Sequence, residues 1–550
     1  MISNQFVFRG NQTIGAAAAE QDGQYLSDCF IDTGILSILL DCEDHRCILV
    51  GRTGAGKSAL VSQLNVDNEH VIPILPDSLS LSYISNSNVI NFFTEAGVNL
   101  SLFYKLLWRH VFVVEILRER FKINSEQQKQ NFFLSIWSSV TRSRKHEMAL
   151  KYLQEWGDSF WRETDYRVQE VTSKLEKDLR GAANLSFLEN SKLDFSAARK
   201  LTKEQREEVI HRGQEVVSKV QIQELNLIVD FLDEILLADR QKKYYIVIDK
   251  LDEEWVENKL RFKLIRGLIE TSLEFTRLKN VKVIIAIRND LLDRVYRFTR
   301  GEGFQEEKYR TSSLDLIWSK SDLVEVLDRR VNKLVKSQYT KKKVTHNDLM
   351  RPVHLEGGKS ERAIEYMLKR TLLRPRDLIQ YFNMCIALSD GKPMVDASTL
   401  VNAEGNYSRD RFRALLDEWI GVYPNMGLLA QILRTREPIF RIHSVSRIEI
   451  EEICLQAASS IDAVEGEDLD AANKVVDAQV KAEDYRRELF LLFYKVSLVG
   501  IKTNDAMPVS WSYLGGPSVS IAEVEDRSKV FIHPMFWRHF GILSGQKYKM

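Results

Sequence analysis

The octapeptide Gly51–Ser58, with the sequence GRTGAGKS, constrains the fold of this chain more than any other stretch. It fits the pattern G-x-x-x-x-G-K-[ST] of a phosphate-binding loop, the P-loop. An apolar run at 47–50 precedes it and an amphipathic segment at 59–64 follows it, as a strand and a helix would. The alternative is a chance glycine turn, which these flanks disfavour. The sequence therefore predicts an α/β domain that binds nucleotide phosphates.

The residue types in this loop suit contact with ATP and Mg²⁺. Glycines allow the backbone to curl so that several N–H groups point at phosphate oxygens, and the helix that follows adds its partial positive charge. Lys57 is expected to reach the β- and γ-phosphates, and Ser58 to ligate Mg²⁺. The full set of predicted nucleotide-binding residues in the loop is Gly51, Thr53, Gly54, Ala55, Gly56, Lys57, Ser58 and Ala59. The pattern does not distinguish ATP from GTP.

A second apolar run, at 244–248, ends in Asp249, which we predict to be a Mg²⁺ ligand. A buried strand parallel to the P-loop strand would deliver this carboxylate to the same sheet edge. Many ATPases carry a Glu directly after such an Asp to orient the attacking water, but here the position holds Lys250. Asp252 is therefore our first candidate for the catalytic base, followed by Glu253 and then Glu254. The alternative is a buried strand that ends in Asp by chance.

Three arginines are candidates for sensing the γ-phosphate. Arg288 follows the apolar run at 283–287, where a sensor residue would approach the nucleotide, and Asn289 is the alternative candidate at that position. Arg374 and Arg376 flank Pro375, which suits the first turn of a helix and would place both arginines at the start of a lid helix. We predict Arg288 and Arg376 as catalytic and Arg374 as nucleotide-binding. The alternatives are a simple helix cap after Arg288 and a surface helix at 376–388.

The coarse pattern of helices and strands divides the chain into five regions. Residues 1–122 are expected to form an N-terminal cap and the first half of the ATPase core, and residues 123–240 a helical insertion. The second half of the core, with Asp249 and Arg288, is expected at 241–300, and a helical lid at 301–395. Residues 396–550 are expected to form a C-terminal helical domain that is similar to a winged helix, with an apolar run at 496–501 and strand-like runs at 509–513 and 530–533.

Composition narrows the function classes. Lys plus Arg and Asp plus Glu both number 77, so net charge gives no argument for a nucleic-acid partner. The five cysteines form no C-x-x-C pair, which predicts reduced thiols and a cytoplasmic location. The N-terminus does not read as a signal peptide, and no long uncharged apolar run predicts a membrane span.

Taken together, the motifs resemble those of bacterial P-loop ATPases of the AAA+/STAND superclass, near the KAP-type NTPases. The stretches that carry the resemblance are GRTGAGKSAL, IDKLDEEW, VIIAIRND and LLRPRDLIQ, with AAAEQD near the N-terminus and FIHPMFWRHFGI near the C-terminus. The resemblance implies a RecA-like core, an ATP–Mg²⁺ ligand, Arg288 near sensor 1, and Arg374 and Arg376 near sensor 2. Lys250 departs from the superclass pattern and leaves the catalytic base and the turnover rate open.

We therefore expect an ATP-driven switch or assembly ATPase that controls a separate effector protein. The resemblance to proteins of mobile and defence islands implies a role against phage, and a homo-oligomer is compatible with it. One alternative is a DNA-engaging ATPase of the initiator type, which the lack of a conspicuously basic recognition helix disfavours. The other is a nucleotide-binding structural subunit with little turnover, which Lys250 favours.

Overall fold

The computed structural model forms two compact units. We call Gly34–Arg52 with Lys57–Leu316 the sheet unit, and the residues up to Thr33, Thr53–Gly56 and those from Ile317 onward the helical unit. The structure describes residues 6–76, 88–122, 144–156, 169–170, 172–174, 176–178, 198–199, 201–219, 223–236, 242–253, 255–300, 306–336, 343–354, 360–515 and 519–542.

The sheet unit is built on five parallel strands among its described residues. They are β1 (Ile48–Val50), β2 (Val71–Ile74), β3 (Tyr244–Ile248), β4 (Val281–Ile287) and β5 (Ser313–Asp315), in the order β2-β3-β4-β1-β5. Every residue of β3 and β4 is buried, as expected for parallel strands covered on both faces. The parallel sheet confirms the predicted α/β core.

Helices cover this sheet, and their apolar residues form one continuous core with the strands. Residues 86–122 have a helical pattern in the sequence, and the structure has two helices there, because Gly97 adopts a φ of +94° and the first helix ends at Ala96. The helices of the sheet unit are Ile35–Leu40, Lys57–Asp67, Asn88–Ala96, Ser101–Phe121, Arg144–Trp156, Lys203–Lys219, Gln223–Leu236, Asn258–Phe275, Asn289–Thr299 and Glu306–Arg310.

Much of the predicted helical insertion at 123–240 lies outside the described residues. Its described helices contribute to the core of the sheet unit, where Tyr152 and Leu232 are buried. The Nδ1 atom of His110, on the helix Ser101–Phe121, lies 2.5 Å from the Tyr152 hydroxyl oxygen. These helices therefore share a core with the sheet, and the limits of the insertion stay a prediction.

The helical unit has its own core, centred on stacked Tyr381 and Tyr407 rings whose centroids are 4.4 Å apart. This helical region confirms the expectation of a C-terminal helical domain. Its α-helices are Gly23–Cys29, Lys320–Lys336, His346–Leu349, Ala363–Leu368, Pro375–Ala387, Ala397–Trp419, Met426–Leu429, Arg447–Ser459, Glu467–Val476, Ala482–Lys495 and Trp537–Phe540. Short 3-10 helices are Ala19–Gln21, Ala430–Leu433, Ile442–Ser444, Ser512–Leu514, Ile521–Glu523 and Pro534–Phe536.

Five short strands complete the described part of the helical unit: β6 (Val353–His354), β7 (Ser360–Glu361), β8 (Ile439–Arg441), β9 (Val499–Lys502) and β10 (Lys529–Ile532). β6 pairs with β7, and the other three form an antiparallel sheet in the order β8-β10-β9. The strand-like run at 509–513 forms an isolated bridge, between Ser510 and Ile501, rather than a strand. Within the described ranges, no helix has both the length and the apolar character needed to cross a membrane.

Candidate functional site

The loop between β1 and the helix Lys57–Asp67 has the backbone that its glycine pattern predicts. Gly54 and Gly56 have φ values of +77° and +102°, in the left-handed region that residues with a Cβ rarely adopt. Thr53–Gly56 group with the helical unit, whereas the residues on either side group with the sheet unit. Ala59 is half-buried in the first turn of the helix. The G-x-x-x-x-G-K-S spacing therefore produces a tight loop that runs into a helix N-terminus.

The first residues of this helix make two contacts that bear on phosphate chemistry. The Lys57 ammonium curls back and donates to the carbonyl oxygens of Gly51, at 2.8 Å, and Arg52, at 3.2 Å. The Ser58 hydroxyl donates to Asp249 Oδ2 at 3.1 Å, although the two residues are 191 positions apart. The structure thus brings together both predicted Mg²⁺ ligands at the carboxyl edge of the sheet.

The surrounding protein compensates the negative charge of the Asp249 carboxylate only in part. Burial raises the pKa of Asp249 above its usual value, and the Lys250 N–H, the Ser58 hydroxyl and the Lys57 charge oppose that shift. The Lys250 N–H lies 2.8 Å from Asp249 Oδ1. Because the charged form is disfavoured here, a cation bound beside Asp249 would stabilise it.

The turn after β3 brings Asp252 to Arg288. Asp252 Oδ2 lies 3.3 Å from an Arg288 terminal nitrogen, and Arg288 Nε lies 2.9 Å from Asp290 Oδ1. The Asp252 side chain is 41% exposed, so it remains open to solvent. Lys250 turns the chain with a φ of +61°, and its ammonium lies 3.5 Å from Glu253. The third base candidate, Glu254, lies outside the described residues.

Arg261, which we did not predict from the sequence, supports this turn. Its guanidinium is buried and donates to the backbone carbonyls of Asp252, at 3.2 Å, and Glu253, at 2.9 Å. Only the tertiary structure identifies it, because an arginine in the amphipathic helix Asn258–Phe275 is ordinarily a solvent-facing residue. The backbone that presents both candidate bases is therefore held by a buried donor.

In the helical unit, Arg374 contacts the loop directly. Its Nη1 atom donates to the Thr53 carbonyl oxygen at 2.7 Å. The other two guanidinium nitrogens bind the Asp377 carboxylate at 3.0 and 3.1 Å, and Nη1 also lies 3.2 Å from Glu418. Arg411 contributes a second positive charge 3.4 Å from Asp377. As predicted, Pro375 occupies the first turn of the helix that Arg374 precedes.

The positive charges of these buried arginines and the negative charges of the buried carboxylates compensate each other. Burial disfavours the charged form of Arg374, but Asp377 and Glu418 outweigh it and raise the pKa of the guanidinium. Burial likewise disfavours the Asp377 carboxylate, yet Arg374 and Arg411 hold its pKa below the usual value. The sequence signals Arg374 through its position beside Pro375, whereas Glu418 and Arg411 come from the distant helix Ala397–Trp419 and carry no such signal.

Arg376 packs against the loop in the same unit. A Cβ added to Gly54 would lie 2.8 Å from the Cβ of Arg376, so the close approach requires glycine at this position. Arg376 Nε donates to the Ala17 carbonyl at 3.2 Å. Burial and the nearby charge of Arg374 lower the pKa of Arg376. Position 54 thus requires glycine for two reasons, its left-handed φ and the close approach of Arg376.

Trp318 is a second residue that the sequence analysis missed. Its indole N–H donates to the Ala55 carbonyl at 2.6 Å. A signal existed, because Trp318 follows the run at 314–316, and residues just beyond parallel strands gather at one sheet edge. In the same loop, Thr53 Oγ1 is buried and has no hydrogen-bond partner among the residues that the structure describes.

These features fit a nucleotide phosphate with a divalent cation. In the helical unit, the left-handed Gly54 and Gly56 and the buried Thr53 hydroxyl, which has no partner among the described residues, can accommodate polar ligand atoms. In the sheet unit, the under-compensated Asp249 carboxylate can accommodate a cation. In the described ranges, His, Cys, Asp and Glu form no cluster of three or more that could hold a metal. Ser58 and Asp249 suit Mg²⁺, which usually takes one or two protein ligands and completes its shell with phosphate and water.

Two comparisons relate this chain to known proteins. Residues 321–416 match the family described as FunZ-associated C-terminal helical domain, a range that contains Arg374 and Asp377. Over 548 residues the chain is 23% identical to the "Putative transposon gamma-delta 80.3 kDa protein" of Escherichia coli (strain K12). That match covers 95% of this chain and 66% of the relative, so the chain spans about two thirds of the relative's length.

Proposed function

We propose that this chain is an ATPase that binds ATP and Mg²⁺ at its P-loop, with a RecA-like core of the AAA+/STAND type. The observation that carries the proposal is the 3.1 Å hydrogen bond between Ser58 and Asp249. The strand order supports it, since β4 lies between β1 and β3 and Arg288 directly follows β4. A sensor residue requires that position.

Each residue then has a defined role in the proposal. Backbone N–H groups of the loop and the Lys57 ammonium bind phosphate oxygens, and Ser58 with Asp249 holds the cation. Mg²⁺, when bound, neutralises charge on the phosphates. Asp252 accepts the proton of the attacking water, since its carboxylate is partly exposed, and Arg288 orients it through their ion pair.

The proposed biological role is a switch that acts on a separate effector protein. The name of the Escherichia coli relative ties that protein to a transposon, which agrees with the link to mobile elements that the resemblance implies. We extend this setting, and a role in defence against phage, to the present chain as part of the proposal. Self-assembly of several copies around ATP is compatible with it.

Binding of DNA is a second candidate, favoured by the three-stranded sheet β8-β10-β9 with its neighbouring helices. The helix Ala482–Lys495, which would serve for recognition, exposes Asp484 and Glu488 and pairs Arg487 with Asp484. Such a surface repels phosphate, so we rank this candidate lower. This candidate predicts DNA binding that weakens steeply as the salt concentration rises, and absence of DNA binding at low salt would rule it out.

Phosphate release from ATP by the purified protein tests the main proposal. Lys57→Ala should lower phosphate release by about 100-fold or more, because one preorganised contact to the transferred phosphates is lost. Lys320→Ala is the matched control, since Lys320 is an exposed lysine that also begins a helix. Wild-type protein that binds no ATP at millimolar concentration would overturn the proposal. Binding without turnover would instead favour the structural-subunit alternative.

A further inference from the structure

We propose that Trp318 and Arg374 are positioning residues that orient two peptide groups of the P-loop toward bound phosphate. The Trp318 indole donates to the Ala55 carbonyl, and the Arg374 guanidinium donates to the Thr53 carbonyl. The inference rests on the proposed nucleotide binding and adds the way in which the helical unit prepares the loop for it.

The argument follows from the geometry of the peptide group. A trans peptide is planar, and its C=O and N–H bonds point in opposite directions. The Thr53 carbonyl belongs to the same peptide as the Gly54 N–H, and the Ala55 carbonyl to the same peptide as the Gly56 N–H. Donors at 2.7 Å and 2.6 Å on these carbonyls therefore direct both glycine N–H groups to the opposite side.

Glycine alone does not supply this order. Gly54 and Gly56 adopt positive φ values readily, but the same freedom leaves a glycine loop with many accessible conformations. A binding site that is already ordered avoids the entropy loss of ordering when the ligand arrives. The two carbonyl contacts restrict the peptide planes on which phosphate binding depends.

Arg374 is itself held in place. All three of its guanidinium nitrogens are engaged, with Asp377, Glu418 and the Thr53 carbonyl as acceptors. Its charge is matched by carboxylates that are almost fully buried, with the Asp377 side chain 0% and the Glu418 side chain 5% exposed. Arg374 consequently acts through the loop backbone, as a positioning residue rather than a ligand of the nucleotide.

The sharpest variant is Trp318→Phe, which removes the indole N–H and keeps an aromatic ring. Trp537→Phe is the matched control, because the Trp537 indole makes the same kind of bond, to the Ile532 carbonyl at 2.8 Å, in the C-terminal part of the unit. We expect Trp318→Phe to weaken ATP binding by about 3- to 10-fold, the usual worth of one hydrogen bond, and Trp537→Phe to leave it unchanged.

Competition by inorganic tripolyphosphate separates positioning from general damage to the fold. This probe has neither base nor ribose, so its affinity should fall by the same factor as that of ATP in Trp318→Phe. Arg374→Lys should act in the same direction, since lysine keeps the charge beside Asp377 but lacks the planar fork that serves three acceptors. Thermal unfolding of every variant reports whether the fold is retained.

The outcomes distinguish the inference from the function on which it rests. Wild-type protein that binds neither ATP nor tripolyphosphate would overturn both. Wild-type binding with equal affinities in Trp318→Phe and Trp537→Phe would overturn the positioning role alone. Weaker binding of both probes in Trp318→Phe, with a melting temperature no lower than that of Trp537→Phe, would support it.

Discussion

Two aspartates, the half-buried Asp249 in the sheet unit and the buried Asp377 in the helical unit, differ in how the protein compensates their charge. Asp249 at the carboxyl edge of the sheet receives hydrogen bonds from a hydroxyl and a backbone N–H, and burial raises its pKa. Asp377 at the start of a helix binds Arg374 and Arg411, and these charges hold its pKa low. The negative charge of Asp249 is not fully balanced by nearby positive charge, whereas the two arginines balance the charge of Asp377.

Under our proposal, the difference separates a carboxylate that binds a ligand, Asp249, from a carboxylate that stabilises the fold, Asp377. A buried carboxylate without a cationic partner lowers stability unless something else supplies the charge. A carboxylate between two arginines stabilises the helical unit and anchors the guanidinium that contacts the Thr53 carbonyl. Substitutions around Asp249 should therefore mainly affect activity, and substitutions around Asp377 should mainly affect stability.

Asp252→Asn should have the largest effect on activity. We expect ATP turnover to fall by about 10²- to 10⁴-fold, as for loss of a general base. The free energy of unfolding should change by less than about 1 kcal/mol, because the partly exposed pair with Arg288 contributes little. Steady-state phosphate release and urea denaturation measure the two effects.

Glu253→Gln is the matched control for that variant, since Glu253 lies in the same turn and is similarly exposed. It should retain most of the wild-type turnover. Equal losses in both variants would show that Asp252 has no special role.

Asp377→Asn should have the largest effect on stability. Removing this charge leaves Arg374 and Arg411 buried without their shared partner, which costs about 3–5 kcal/mol for a broken buried pair. Urea denaturation measures the loss. Asp417→Asn is the control, because Asp417 is exposed on the helix Ala397–Trp419. A loss no greater than that of the control would contradict the structural role of Asp377.

The pH dependence of stability should have opposite signs for the two aspartates. The lowered pKa of Asp377 gives stability that is present above the usual Asp pKa and is lost as pH falls through the folded value. The raised pKa of Asp249 gives stability that is present below the usual Asp pKa and is lost as pH rises through the folded value.

Asp249→Asn should therefore raise the free energy of unfolding at neutral pH, because the disfavoured charge is removed, while lowering Mg²⁺-dependent turnover. Urea denaturation of wild type, Asp249→Asn and Asp377→Asn across pH 3–8 would measure both slopes. An Asp249→Asn protein that is less stable than wild type at neutral pH would contradict the assignment.

Lys250→Gly should have the smallest effect. The left-handed φ of Lys250 costs about 1 kcal/mol for a residue with a Cβ, and the greater chain entropy of glycine costs about as much in the opposite direction. Thermal unfolding should thus show little change. Lys250→Val places a β-branched side chain in the same conformation and should be clearly less stable. Similar melting temperatures for the two variants would show that the backbone at position 250 is not strained.

Local sequence pattern was sufficient for the parts of the site that depend on neighbours in the chain. Short-range sterics determine the glycine turn at 51–56, the apolar strand that ends at Asp249 and the helix that begins after Arg374, so their patterns were readable in advance. The pairing of Ser58 with Asp249 was also foreseeable, because carboxyl ends of parallel strands meet at one edge. The split at Gly97 was not foreseen, since a helical pattern continues on both sides of it.

What only the tertiary structure decided is which polar groups meet across long sequence separations. Trp318 and Arg374 meet the loop carbonyls, and Arg261 meets the turn at 252–253. The position of Trp318 after a strand and of Arg374 before Pro375 was readable in the sequence, but the acceptor that each side chain meets was not. The role of each side chain depends on the acceptor that packing places within about 3 Å, and packing is a property of the whole fold. The sequence by itself determined the chemistry available to the P-loop, and the tertiary structure decided which side chains hold it in shape.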